Sequence, residues 1–330
     1  MKHLCARTTR TAAAVLALIV FAGFPAAKAL DADLIARSRI FPSIGAGVTA
    51  IHRDAAGRYA VLTERGGVQI FNGSGSAVVH APADNSPAGA IQFGVDMDLD
   101  GQGRIYVADR ARNAIQVFSG DGKFERQMHI NAPTAVATLA GGEVAVASLL
   151  SPKLVTVFGA QGQVVREFGE PEKIAGRADL NRYANMGRLC RDASGRIYYS
   201  FTYMPEPTVR RYDRFGNSDF QLVLNTEEYA SSAMSARKAL ARDDGKPTQA
   251  LHTVLGPVAV DPVDGEIWMA LGGRLLRFFA DGTEHGSFLI FTPEEERIEA
   301  STLLVETGRI LVGSSSLGVY VLPKPSATSQ

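Results

Sequence analysis

Three histidines, His80, His129 and His252, are the residues best suited by type to hold a metal ion. Three neutral imidazoles can bind zinc and lower the pKa of a bound water. They lie far apart in the chain, and no H-x-H or H-E-x-x-H spacing joins them. The acidic run Asp96-Met-Asp-Leu-Asp-Gly101 opens like a calcium loop, but its twelfth position is Val107, where such a loop needs a bidentate glutamate. Nucleophilic chemistry has less support. No G-x-S-x-G elbow occurs, and Gly73-Ser-Gly75 and Gly313-Ser-Ser-Ser316 read as turns or strand ends. Cys190, between Leu189 and Arg191, reads as a small core or channel residue. A recognition surface has more material: His129, Asn131, Tyr183, Asn185, Arg188 and His252, with Arg110, Arg112, Tyr203 and Glu206, offer aromatic faces, donors and both charge signs.

What must position these residues is a repeat. Five times an aromatic stands four residues before a glycine, at Phe71–Gly75, Phe118–Gly122, Phe158–Gly162, Tyr212–Gly216 and Phe278–Gly282. An earlier turn glycine precedes each aromatic: Gly57, Gly103, Gly142, Gly195 and Gly265. A sixth copy has its first half only, at Gly308-Arg-Ile-Leu-Val312. Within copy two, Val95-Asp-Met-Asp-Leu99, Ile105–Asp109, Ala114–Phe118 and Phe124–Met128 read as four short strands. Four-stranded antiparallel sheets repeated radially are propeller blades, so the fold class is all-β, a six-bladed β-propeller. Asp54-Ala-Ala-Gly57, Asp100-Gly-Gln-Gly103 and Asp192-Ala-Ser-Gly195 carry the side-chain cap and the glycine of a tight turn between the first and second strands.

The stretch Asp100-Gly-Gln-Gly-Arg-Ile-Tyr-Val-Ala-Asp109 followed by Asn113-Ala-Ile-Gln-Val-Phe-Ser-Gly-Asp-Gly122 resembles an NHL repeat. The resemblance runs over roughly residues 45–322 and implies a six-bladed NHL-like propeller. Copy six lacks an outer strand, which the segment Leu34–Phe41 is expected to supply, closing the ring and removing exposed edges. On such a fold the regular turns share one face. The loops between second and third strands and the connections between blades share the other, and there the length varies. That face holds the connections 169–184 and 225–255 and the loop Phe201–Thr208. In the longer connection a helix is expected after Asn225, with Glu228 at the capping-box spacing and Asp243–Pro247 ending it. It could lie over the channel as a lid or pack on the rim.

The resemblance carries two enzyme alternatives. Propeller lyases hold a metal over the channel with histidines, here His80, His129 and His252. Lactonase-type hydrolases hold calcium in the channel, here with Asn131, Asn185 and Asp109 available. The leading expectation is instead a non-catalytic binding or scaffold module without cofactor. It would use the variable face to bind a protein or small envelope ligand; a metal-dependent lyase or lactonase with calcium or zinc at the channel mouth is the alternative.

Residues 1–29 read as a signal peptide: Lys2, Arg7 and Arg10, the apolar run Ala12–Phe24, then Ala27-Lys28-Ala29. Export, to the periplasm or beyond, is expected, with a single propeller over 30–325, a disordered tail at 326–330, no membrane span after cleavage, and a monomer. Cleavage would leave 30 Lys and Arg against 34 Asp and Glu, no basic surplus for a nucleic-acid partner. It would also remove Cys5, leaving Cys190 unable to form an intrachain disulfide.

Overall fold

Alternating apolar runs punctuated by Asp and Gly fold here as the repeat demands. The computed structural model describes residues 32–83, 87–225, 227–241 and 251–326. They form six sheets, each with four strands running antiparallel from the axis outward in sequence order, apart from the last two. The innermost strands are Val48–Arg53, Gly94–Leu99, Pro133–Thr138, Gly187–Arg191, Val258–Val260 and Thr302–Glu306. Each touches the next, and the sixth touches the first, so the ring is closed. The chain is a six-bladed β-propeller.

Each junction between blades holds its own apolar core. Phe71 lies in the core between blades six and one, Phe118 between one and two, Tyr212 between three and four, and Phe278 between four and five. Phe158 packs at the edge of the core between two and three. The repeated aromatic therefore faces the preceding blade. Its glycine does the same work on the backbone: Gly122 has φ +80°, and a Cβ there would stand 2.4 Å from the His80 carbonyl on the outer strand of blade one.

The turn aspartates act with an arginine one residue beyond the glycine. One oxygen of Asp100 accepts the Gln102 and Arg104 backbone N–H groups, and the other takes Arg104 Nε at 2.7 Å. Asp54 with Arg58 and Asp192 with Arg196 repeat this arrangement.

Ring closure differs in one respect from a single N-terminal strand over 34–41. Ser38–Ile40 pairs antiparallel with Gly318–Pro323 and completes blade six. Ala32–Ile35 instead pairs in parallel with Glu284–Phe291, as a fifth strand of blade five. The segment straddles two blades because Ala36 and Arg37 turn between them, donating to the Phe291 and Val321 carbonyls respectively. Phe41 then stacks on Phe71 at 4.3 Å between ring centroids, sealing the last junction.

Two helices decorate the connections flanking blade four. The expected one, α2, spans Glu227–Ala241; a shorter one, α1, spans Ala178–Ala184. The second was missed because its seven residues carry no strong periodic signal. The helices meet through Leu180, Ala184 and Leu240. Arg237 of α2 pairs with Glu206 in the long loop of blade four. The expected cap involving Glu228 and the stop at 243–247 lie outside the described residues and side chains, as does the expected signal peptide. No helix among the described residues is long and apolar enough to cross a membrane.

Candidate functional site at the channel mouth

The inner strands leave two neighbouring spaces along the channel. One, a cavity of about 300 Å³, is lined by His52, Asp96, Asp98, Arg188, Cys190 and Arg191 among others. The other, on the variable face, is a mouth pocket of about 480 Å³. That volume suits a small ligand. Arg188 and Pro257 line both spaces.

The mouth is built from loops of several blades. Blade one contributes Glu64, blade two Arg110, blade four Arg188, Thr202 and Tyr203. Thr253 comes from the connection into blade five, and Glu299 and Ser301 from the connection into blade six. Arg110 is half-buried and donates to the Pro133 carbonyl at 3.4 Å and towards the Met186 sulfur at 3.7 Å. Burial lowers its pKa, Tyr203 and Tyr183 oppose that, and neighbouring Arg188 reinforces it. Arg188 reaches across the channel to the Ser301 carbonyl at 2.8 Å. Among the described residues, neither arginine has a carboxylate within ion-pair distance, and neither Glu64 nor Glu299 has a cation there.

Deeper in the channel the charges are tied down. Asp96 and Asp98 alternate on the innermost strand of blade two and reach blade three. Asp96 accepts the Val136 N–H at 2.9 Å, and Asp98 accepts the Thr138 N–H at 2.7 Å and its hydroxyl at 2.9 Å. His52 lies 3.3 Å from Asp98, and Arg191 3.4 Å from its other oxygen. His52 and Asp96 both touch the channel space and are only partly buried, surrounded by the inner strands. Burial pushes the Asp96 carboxyl up to about 7, with Arg188 pulling the other way. Burial also lowers the His52 pKa against the pull of Asp98. Cys190 faces this channel, and burial raises its thiol pKa, keeping it protonated.

Of the residues singled out in the sequence, Arg110, Arg188 and Tyr203 line the mouth together, with Tyr183 close enough to act on Arg110. The others stand elsewhere. Buried Asn185 accepts the Glu172 N–H at 2.7 Å and donates to the carbonyls of Glu172 and Asn181, shaping the connection before blade four. Asp109 is fully buried and accepts from Gln92, Phe93, Arg112 and Gln116. Arg112 donates to the Pro87 carbonyl. Asn131 is exposed, and its carbonyl accepts the Ser148 hydroxyl. His80 and His129 sit exposed on the outer strands of blades one and two, and His252 is exposed in the connection before blade five. None joins a metal-binding trio; among the described residues only Asp261, Asp264 and Glu266 come within such reach. Lys324 pairs with the two aspartates, and Arg277 with Glu266.

Sequence reading missed Glu64, Glu299 and the Asp96–Asp98–His52 group. The signal for Asp96 and Asp98 was present: acids two apart on an innermost strand share one side. Glu64 and Glu299 carried none, since only ring closure brings blades six and one together.

No family model matches the chain, and no curated protein matches it in sequence. Solved structures do. A streptogramin B lyase superposes with TM-score 0.57 at 13% identity, covering 86% of this chain and 96% of the other. Virginiamycin B lyase from Staphylococcus aureus gives TM-score 0.53 at 11% identity, covering 88% of each chain. The extracellular domain of a hybrid two-component system from B. thetaiotaomicron gives TM-score 0.53 at 13% identity, covering 91% of this chain and 34% of the other. The likeness is one of fold. At such identity it carries no site residue from one chain to another.

Proposed function

We propose that this chain is an exported, NHL-like propeller that binds a small envelope ligand in the mouth pocket on its variable face, acting as a recognition module. The observation behind this reading is the convergence of Arg110, Arg188 and Tyr203 on a pocket of about 480 Å³. Irregular loops on a rigid ring are where recognition is built, and polar groups placed beside an aromatic side chain fix the orientation of a bound ligand. Helix α2 supports the rim: its contacts are with α1 and Glu206, and none of its described side chains lines the mouth. The apparent signal peptide and the extracellular setting of one structural relative both fit export.

The test is saturation-transfer NMR on the mature chain with a set of small acids, amines, sugars and short peptides. At least one probe is expected to bind the wild type and to lose its signal in Thr253→Trp, which fills the mouth, and in Tyr203→Ala. Binding of every probe unchanged in both variants overturns the reading, as does binding of none.

A second reading has one specific observation behind it. The Asp96 carboxyl, pushed up to about 7 in the channel cavity next to the pocket, has the proton affinity of a general acid or base. A metal-assisted lyase or lactone hydrolase would require stoichiometric zinc or calcium in the purified protein, with turnover lost in Asp96→Asn.

A further inference from the structure

The mouth pocket carries both signs of charge. Glu64 of blade one, Glu299 of the connection into blade six, Arg110 of blade two and Arg188 of blade four all line it, and the Arg188 guanidinium reaches the Ser301 carbonyl, two residues from Glu299. All four lack an ion-pair partner among the described residues, although this chain pairs its arginines readily elsewhere, as at Arg58, Arg104, Arg196 and Arg309. Arg110 is the most telling member. It is half-buried, its guanidinium donates to one carbonyl and towards one thioether, and its charge is disfavoured by burial and by Arg188 beside it. A guanidinium left without an anion in such a place is costly to the folded chain unless something arrives to compensate it.

Resting on the proposed role of this pocket, we infer that its ligand is a small zwitterion, a free amino acid or short peptide. Its carboxylate would lie against Arg110, and its ammonium towards Glu64 and Glu299. A carboxylate suits the planar fork of arginine, which can donate two parallel hydrogen bonds. Beside these charges, Thr134, Thr202, Thr253 and Ser301 line the wall together with Tyr203. These hydroxyls suit the amide groups of a peptide, and the aromatic ring suits an apolar side chain. The volume of about 480 Å³ is enough for a peptide of a few small residues and too small for a folded partner. A simple anion would leave both glutamates facing it unfavourably, and a simple cation would do the same with the arginines. A ligand carrying both signs meets residues of both.

Calorimetric titration of the mature chain with trialanine, its N-acetyl form, its C-terminal amide and the doubly capped form tests this. Free trialanine is expected to bind roughly tenfold or more tighter than either singly capped form, the scale of one lost charge-assisted contact. Arg110→Gln should erase the preference for the free carboxylate and leave the preference for the free amine. Glu299→Gln should do the reverse. Equal binding of free and capped peptides overturns the inference. If that capped binding is also blocked by Thr253→Trp, the pocket's role survives; if it is not, both fall. Absence of binding by free trialanine likewise overturns the zwitterion, while the pocket's role then stands or falls on the wider probe set.

Discussion

The two faces of this propeller use the same residue types in opposite ways. On the turn face, acids and arginines are neutralised where they stand: Asp54 with Arg58, Asp100 with Arg104, Asp192 with Arg196. At the mouth, Glu64, Arg110, Arg188 and Glu299 share one pocket, and no ion pair joins them. The difference separates charges that hold the chain from charges that are open to a ligand. A scaffold charge should cost stability when removed. A mouth charge should cost binding and leave stability nearly untouched.

The largest effect is expected where channel charge and scaffold coincide, at Asp98. Its carboxylate accepts from the Thr138 backbone and hydroxyl and stands within ion-pair reach of His52 and Arg191. Asp98→Ala strands the buried Thr138 N–H and hydroxyl at the junction of blades two and three and removes the partner of His52 and Arg191, and should lower the unfolding free energy by about 3 kcal/mol in urea titration. A loss below about 1 kcal/mol would mean the inner network is not structural.

Asp192→Ala tests the turn face in isolation. It removes the acceptor for the Ser194 and Arg196 backbone N–H groups and the partner of the Arg196 side chain. A loss of about 1–2 kcal/mol is expected, the scale of a capping side chain, with ligand binding unchanged.

Asp96 gives a pH signature. Its folded carboxyl is pushed up to about 7, against an ordinary 3.8, so between those values the folded state binds the extra proton. Stability from this group is therefore full below about pH 4 and declines as pH rises to about 7, then levels. Asp96→Asn, which can still accept the Val136 N–H, should flatten that part of the profile and gain stability at pH 8 relative to wild type. Urea titrations across this range check it; an unchanged slope in the variant would assign the pH dependence to other groups.

The scaffold half of this comparison was largely legible in the sequence, and the mouth only in part. Phe71, Phe118, Tyr212 and Phe278 could be counted along the chain because every blade must solve the same packing problem against its predecessor. The missing outer strand of copy six pointed correctly to the N-terminal segment, but not to its division between blades five and six, which depends on a turn at Ala36 and Arg37. At the mouth, Arg110, Arg188 and Tyr203 were singled out because topology assigns their positions to the variable face, and all three line one pocket there. Asn185 and Asp109 were misleading for the same reason: polar side chains in irregular loops are as often spent on holding backbone as on meeting a ligand, and their partners appear only in three dimensions. Glu64 and Glu299, 235 positions apart in the chain, become neighbours in function only when the ring closes.

The central claim, that the mouth charges are held in reserve for a ligand, is tested most directly by measuring stability and trialanine affinity together for Arg110→Gln. Unfolding free energy equal to or above that of wild type, with affinity reduced roughly tenfold, is the predicted result. A loss of stability comparable to Asp192→Ala, with affinity unchanged, would place Arg110 among the scaffold charges and contradict it.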